Sequence, residues 1–305
     1  MRELTLRGVV QRTLALGLAM FLATTAVAQD RSQVIVVNKA LHYFAERLLG
    51  DAAEVVFPVP EGVDPSFWRP SIADISMIQS ADLILLNGAG FATWIDRVSL
   101  PRSRIVNTSA TIEDQFIVTE SITHTHGDGG EHSHEGIASY IWLDPMLAIA
   151  QAEAIAAAVM SRDLAAEQDV EARLAELRSE LTALDAMARD ALSSLEGTAI
   201  LATHPRYQYF ARRYSLSIAS LEWDAGAMPS QDDLADLERL STELDARILI
   251  WEAKPPQAAF ELTEALGLHS VVFEPGASQG TPVSLFDAYR QAVSGLSEAA
   301  RQSPD

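Results

Sequence analysis

Eight short apolar runs, four on either side of a long helical stretch, constrain this chain more than any other feature. In the first half they are Val34–Val37, Glu54–Phe57, Leu83–Leu86 and Ile105–Val106. In the second half they are Ala199–Ala202, Ser217–Leu221, Ile248–Trp251 and Val271–Phe273. Most are bounded by Gly, Pro, Asn or Asp, with intervals long enough for a crossover helix. Continuous apolar runs with helices between them are the pattern of parallel strands covered on both faces. Between the two sets, residues from about 145 to 195 read as helical. Leu174, Leu177, Leu181, Leu184, Ala188, Ala191 and Leu195 recur at spacings of three and four, with Glu171, Arg173, Glu176, Arg178 and Glu180 off the stripe. A coiled-coil dimer also uses such a stripe, but its place between two α/β halves favours packing on both. Gly197 marks the end of the helix. The expected fold is α/β: two lobes, each a mostly parallel sheet covered by helices, joined by a long rigid helix.

The ends and composition narrow the class. Arg2, Arg7 and Arg12 precede an apolar core from Leu14 to Ala23, and Ala26-Val27-Ala28 is a small-x-small cleavage site. Residues 1–28 are expected to be a cleavable signal peptide, which directs the chain to the periplasm. The apolar core is shorter than a membrane span of about 20 residues, and no second candidate span follows. The expected mature parts are a first lobe over 29–144 with a histidine-rich loop at 123–135, a helical region over 145–196, and a second lobe over 197–305. There is no cysteine, so neither disulfides nor an acylated cysteine are available. Any metal site must therefore use nitrogen and oxygen ligands. The formal charge is −20, and removing residues 1–28, with three Arg and one Glu, deepens it to −22. That balance argues against nucleic acid as a partner and fits a soluble protein; a monomer is expected.

Four of the seven histidines fall in one short segment as two His-x-His pairs, His124/His126 and His132/His134, around Gly127-Asp128-Gly129-Gly130. In an extended segment residues i and i+2 point to the same side, so each pair can offer two imidazoles to one ion. Imidazole suits zinc, copper and nickel, and Asp128, Glu131 and Glu135 add oxygen donors. Such a loop must be ordered on binding, which lowers its affinity. His204 follows the run Ala199–Ala202, and Glu252 and Glu274 each end an apolar run in the same half. Ligands of open α/β sheets bind at the carboxyl ends of strands, so His204, Glu252 and Glu274 are candidate metal ligands. Each carboxylate is alternatively a helix cap or a partner of Lys254 or Arg213. His42 and His269 read as structural, and Trp68, Trp94, Trp142, Trp223 and Trp251 as core or interlobe packing. No His-Glu-x-x-His helix, Gly-x-Ser-x-Gly elbow, phosphate-binding glycine loop or cysteine nucleophile is present. The chain is therefore not expected to be an enzyme.

These segments resemble the zinc/manganese-type (cluster A-I) solute-binding proteins of bacterial ABC importers. The resemblance rests on residues 37–47, Val63-Asp64-Pro65, Pro70-Ser71 and residues 81–88 in the first half. It continues through Trp142-Leu143-Asp144-Pro145, Thr203 to Phe210, and Arg213-Tyr214. It implies two α/β lobes joined by a long helix, with metal held in the cleft. It further implies a histidine after Asp64-Pro65, where Ser66 stands, and another before the Trp-Leu-Asp-Pro segment, where Tyr140 stands. His204 and Glu274 carry over directly, leaving a zinc ion two ligands short of four. His132 or His134 folding in from the loop would close the site, and the Tyr140 phenol is a further oxygen candidate. The function implied is capture of a divalent transition metal and its delivery to an inner-membrane ABC permease. Zinc leads because imidazoles dominate the candidates, with manganese, copper and nickel also open. The rival readings are a periplasmic buffer or chaperone without a permease, a metal-dependent hydrolase, and a binder of organic ligands or metal chelates.

Overall fold

The computed structural model describes residues 31–119, 136–280 and 284–302. Within them the eight apolar runs all form strands, each end within two residues of expectation. The first sheet has the order β2–β1–β3–β4, all parallel, from β1 (Ser32–Val36), β2 (Ala53–Val56), β3 (Leu83–Leu86) and β4 (Ile105–Asn107). The second has the order β10–β9–β7–β8, also parallel, from β7 (Ala199–Ala202), β8 (Ser217–Ser220), β9 (Ile248–Trp251) and β10 (His269–Val272). A two-stranded antiparallel ribbon, β5 (Val118–Thr119) and β6 (Gly136–Ile137), completes the strands described. The crossovers run through α1 (Lys39–Leu49) and α2 (Ile72–Ser80) in the first half. In the second they run through α5 (Gln208–Tyr214), α6 (Gln231–Leu244) and α7 (Gln257–Ala265), and α8 (Leu285–Gln302) closes the chain. Central strands covered on both faces have no polar side to show: Val34, Ile35, Val36, Leu83, Ile84, Leu85, Ile248, Leu249 and Ile250 are all fully buried.

The helical region is two helices, α3 (Pro145–Ser161) and α4 (Glu167–Leu192). Asp163, at φ +52°, breaks them, in the left-handed region that Asp tolerates better than most residues. Asp144 caps α3 by accepting from the Met146 amide at 2.9 Å, and Pro145 fills the first helical position, where no amide donor is needed. On α4 the stripe residues Leu177, Leu181, Leu184 and Ala188 are buried, in one core with Leu41, Phe44, Ile200 and Phe273. The stripe is thus covered inside the chain by both halves, as its position between them predicts. Arg173 ties α4 to the end of α1, donating to the Leu48 and Leu49 carbonyls at 3.2 and 2.9 Å.

Further along α4, Arg213 forks onto both Asp185 oxygens at 2.7 and 2.6 Å, joining the helix to α5. Burial pushes the Asp185 carboxyl up, but the Arg213 bonds and charge outweigh it and hold the group below its ordinary value. A depressed carboxylate contributes stability that is present above the unfolded-state pKa of about 3.9 and lost as pH falls through the lower folded value. Asp185→Asn should therefore cost about 2 kcal/mol at pH 7. The cost should shrink at an acid pH below that lowered folded value, where the unchanged carboxylate is itself protonated. Urea unfolding at both pH values checks this; an equal cost at both would show that charge is not the cause.

A buried polar knot fixes the carboxyl ends of the first sheet's strands. Asn38 caps α1 through the Leu41 amide (2.8 Å) and donates to Asn87 Oδ1 at 3.2 Å. Gln151 on α3 donates to Asn87 Oδ1 and Thr108 Oγ1 at 3.1 and 3.2 Å. Gly88 follows at φ +78°, where a Cβ would come within 2.0 Å of Ser109 Oγ, so only glycine fits. All five tryptophans are buried. Trp68 packs on Trp94 at 5.6 Å and Trp223 on Trp251 at 5.4 Å, in agreement with their reading as packing residues.

Candidate functional site

Parallel register decides which strand-end residues meet. Ala202 of β7 stands opposite Ile250 of β9, which places His204 level with Glu252 just beyond the adjacent strand. The Thr203 amide donates to the Ile250 carbonyl at 2.8 Å, and the Glu252 amide to Thr203 Oγ1 at 3.1 Å. The result sets His204 Nδ1 3.7 Å from Glu252 Oε2, with both side chains nearly buried. Glu274 follows β10, on the far side of β9 from β7. Neighbouring strands are about 4.8 Å apart, so the sheet brings His204 and Glu252 together and carries Glu274 one strand further out.

His204 Nδ1 lies 2.9 Å from the Trp223 carbonyl oxygen. A carbonyl only accepts, so Nδ1 carries the proton and the Nε2 lone pair is left as the ring's acceptor. Burial first, and the Arg206 charge second, push the His204 pKa down to about 4, so the ring is neutral at neutral pH. A neutral imidazole whose other nitrogen donates to a backbone carbonyl is in the form that binds metal ions.

Arg206 is the centre of the arrangement. Its guanidinium donates to Asp64 Oδ2 at 2.8 Å and to Glu252 Oε1 at 3.1 Å, and its carbon sits 4.7 Å from the Tyr140 ring centroid. Asp64 Oδ1 in turn accepts from the Ser66 amide and hydroxyl. The guanidinium thus spans from the 57–70 segment beside the first sheet to the strand ends of the second, while only 9 % exposed. Burial pushes the Glu252 carboxyl up and Arg206 pulls it back only in part. Glu252 Oε2 is buried with no hydrogen-bond partner among the described residues. Tyr140 is buried, and burial raises its phenol well above the ordinary value. It stays protonated at neutral pH, serving as a platform for Arg206 and packing on Trp142 with ring centroids 4.9 Å apart.

The segment after β10 crosses to the first half. Trp142 Nε1 donates to the Pro275 carbonyl at 2.6 Å, and Gln279 Nε2 to the Phe57 and Val59 carbonyls at 3.0 and 2.6 Å. Glu274 is held within this crossing segment. His124, His126, His132 and His134 lie outside the described residues. Among the described residues no group of three His, Asp or Glu side chains is arranged to hold a metal ion; His204 and Glu252 form a pair, and Asp64 faces them across the guanidinium. His42 pairs with Glu46 at 3.0 Å on α1, beside Lys39. Asp64 and Arg206 had no assigned role in the sequence. The available signal was a cationic side chain two residues after His204 at a strand end.

The pattern of the family described as zinc-uptake complex component A, periplasmic, matches residues 34–299. The high-affinity zinc uptake system protein ZnuA of Bacillus subtilis is 26 % identical over 230 residues, covering 73 % of this chain and 71 % of that protein. The zinc-binding lipoprotein AdcA of Streptococcus pneumoniae is 26 % identical over 258 residues, 81 % of this chain and 50 % of AdcA. The chain thus spans about half of that longer relative. The crystal structure of the Zn(II)-bound ZnuA-like domain of AdcA superposes with a TM-score of 0.73, covering 88 % of this chain and 99 % of the domain at 18 % identity. At that identity the likeness is one of fold.

Proposed function

The chain belongs to the family of periplasmic zinc-uptake components, and from that premise we propose that it captures zinc and delivers it to an inner-membrane ABC permease. The observation that carries the reading is His204, a neutral imidazole whose Nδ1 proton is committed to the Trp223 carbonyl, beside a Glu252 oxygen that has no hydrogen-bond partner among the described residues. Nitrogen and oxygen donors of this kind suit zinc. Glu274, the loop histidines His124, His126, His132 and His134, and the Tyr140 oxygen are the candidates for completing the coordination. Residues 1–28 serve as the export signal, and the mature protein works as a monomer with no chemical turnover. The lobes are residues 29–144 and 197–305, with 145–196 as their helical link. Zinc that binds the closed arrangement more tightly than the open one shifts the chain toward the closed form, and the permease reads that form.

A calorimetric titration of the chelator-treated chain with zinc tests this. One tight equivalent of zinc is expected, displaced by neither calcium nor magnesium, whose oxygen-only preference the imidazole does not meet. A chain that takes up no zinc, or takes calcium as readily, would overturn the reading.

A further inference from the structure

We propose that Arg206 is a built-in cation that holds the metal-free cleft together and sets its affinity, because its guanidinium occupies the two carboxylates, Asp64 and Glu252, that face each other across it beside His204. The inference rests on the zinc-binding reading above and deepens it. Asp64, Glu252 and His204 are the oxygen and nitrogen donors gathered at this point, and a cation already stands among them, 2.8 Å from Asp64 Oδ2 and 3.1 Å from Glu252 Oε1. Tyr140 supports the face of that cation at 4.7 Å, and Ser66 orients Asp64 toward it through two hydrogen bonds. A guanidinium stays charged at every accessible pH and fits carboxylates through a planar fork, so it leaves only by exchange with another cation. Zinc that takes Glu252 Oε1 or Asp64 Oδ2 must displace the corresponding Arg206 bond, and zinc at Glu252 Oε2 meets the guanidinium charge across the same carboxylate. Without Arg206, two partly buried carboxylates lose their counter-ion, which raises the metal-free state and favours the bound one. Both effects act in one direction: the arginine weakens zinc binding and steadies the empty protein.

Zinc affinity measured by competition with a chromophoric chelator, and the melting temperature of the metal-free protein, test this on the unchanged chain, Arg206→Gln and Arg206→Lys. Arg206→Gln should bind zinc at least about tenfold more tightly and melt lower when metal-free. Arg206→Lys keeps a charge but not a fork that reaches both carboxylates, so its affinity should fall between the two. It also keeps the test open if the glutamine protein fails to fold. If the unchanged chain binds zinc and both variants bind it equally or more weakly, the inference fails and the zinc reading stands. If none of the three binds zinc, both fail.

Discussion

Zinc binding by His204→Ala should be at least about 100-fold weaker than by the unchanged chain. Altering a residue that merely orients a metal-bound histidine costs about 10–100-fold in affinity, and removing the imidazole takes away both the donor and its orientation. Among the described residues the geometry gives this position no local substitute. Glu252 Oε2, 3.7 Å from the ring nitrogen, is a carboxylate oxygen whose companion is engaged by Arg206. The Trp223 carbonyl that holds Nδ1 points at a ring that would be absent. His204 is 13 % exposed in its side chain and lies at the edge of the core, so the alanine protein should keep the fold and the metal-free melting temperature within a few degrees. Competition with a zinc chelator, read beside thermal unfolding, separates lost coordination from lost structure. Retained tight zinc binding by a folded His204→Ala protein would remove this residue from the site and leave the loop histidines as the principal donors.

How far this site was legible depends on where its information lies. Leu83–Leu86 and Ile248–Trp251 match their strands residue for residue, because a strand buried on both faces must be apolar throughout. Val271–Phe273 is displaced from the observed His269–Val272. There the strand starts on polar residues, and pairing of His269 with Ile248 and Ser270 with Leu249 overrides side-chain pattern. His204 and Glu252 were legible as strand ends. That the strand leading to Glu252, and not the one leading to Glu274, adjoins the strand of His204 follows from the order β10–β9–β7, which no local spacing encodes. The Asp64–Arg206 pair joins residues 142 positions apart; a cation after His204 was visible, but neither segment alone names the carboxylate it meets. The length of the stripe did foretell its cover: six small or apolar residues on one face of α4, with Leu195 just beyond it, need partners from both halves, and both supply them.

The same long-range logic places the largest stability effect at Phe210 rather than at any charged residue. Phe210→Ala should cost about 3–5 kcal/mol, the range for deleting a buried aromatic ring. The ring is fully buried and meets three others edge-on: Tyr214 and Phe273, each at 5.1 Å, and Tyr289 at 5.7 Å. Each such pair is worth about 0.5–1.5 kcal/mol beyond area burial. The surrounding hydroxyls are already committed, which limits how far the cluster can close over a cavity. Tyr289 donates to the Leu143 carbonyl at 3.2 Å and bonds to the Tyr214 hydroxyl at 3.0 Å, while Tyr207 donates to the Phe273 carbonyl at 2.7 Å. Through Phe273 and Tyr207 the cluster supports the backbone of Glu274 and Arg206, so its loss should loosen the site as well as the core. At roughly 2–4 °C per kcal/mol for a chain of this size, the melting temperature should fall by about 10 °C. Zinc in large excess should return part of that loss, because it binds only the folded form. Ile72→Ala, at a side chain 85 % exposed, is the matched control and should stay within about 0.5 kcal/mol. A Phe210→Ala protein that lost under 1 kcal/mol would show that the aromatic cluster relaxes freely around the missing ring.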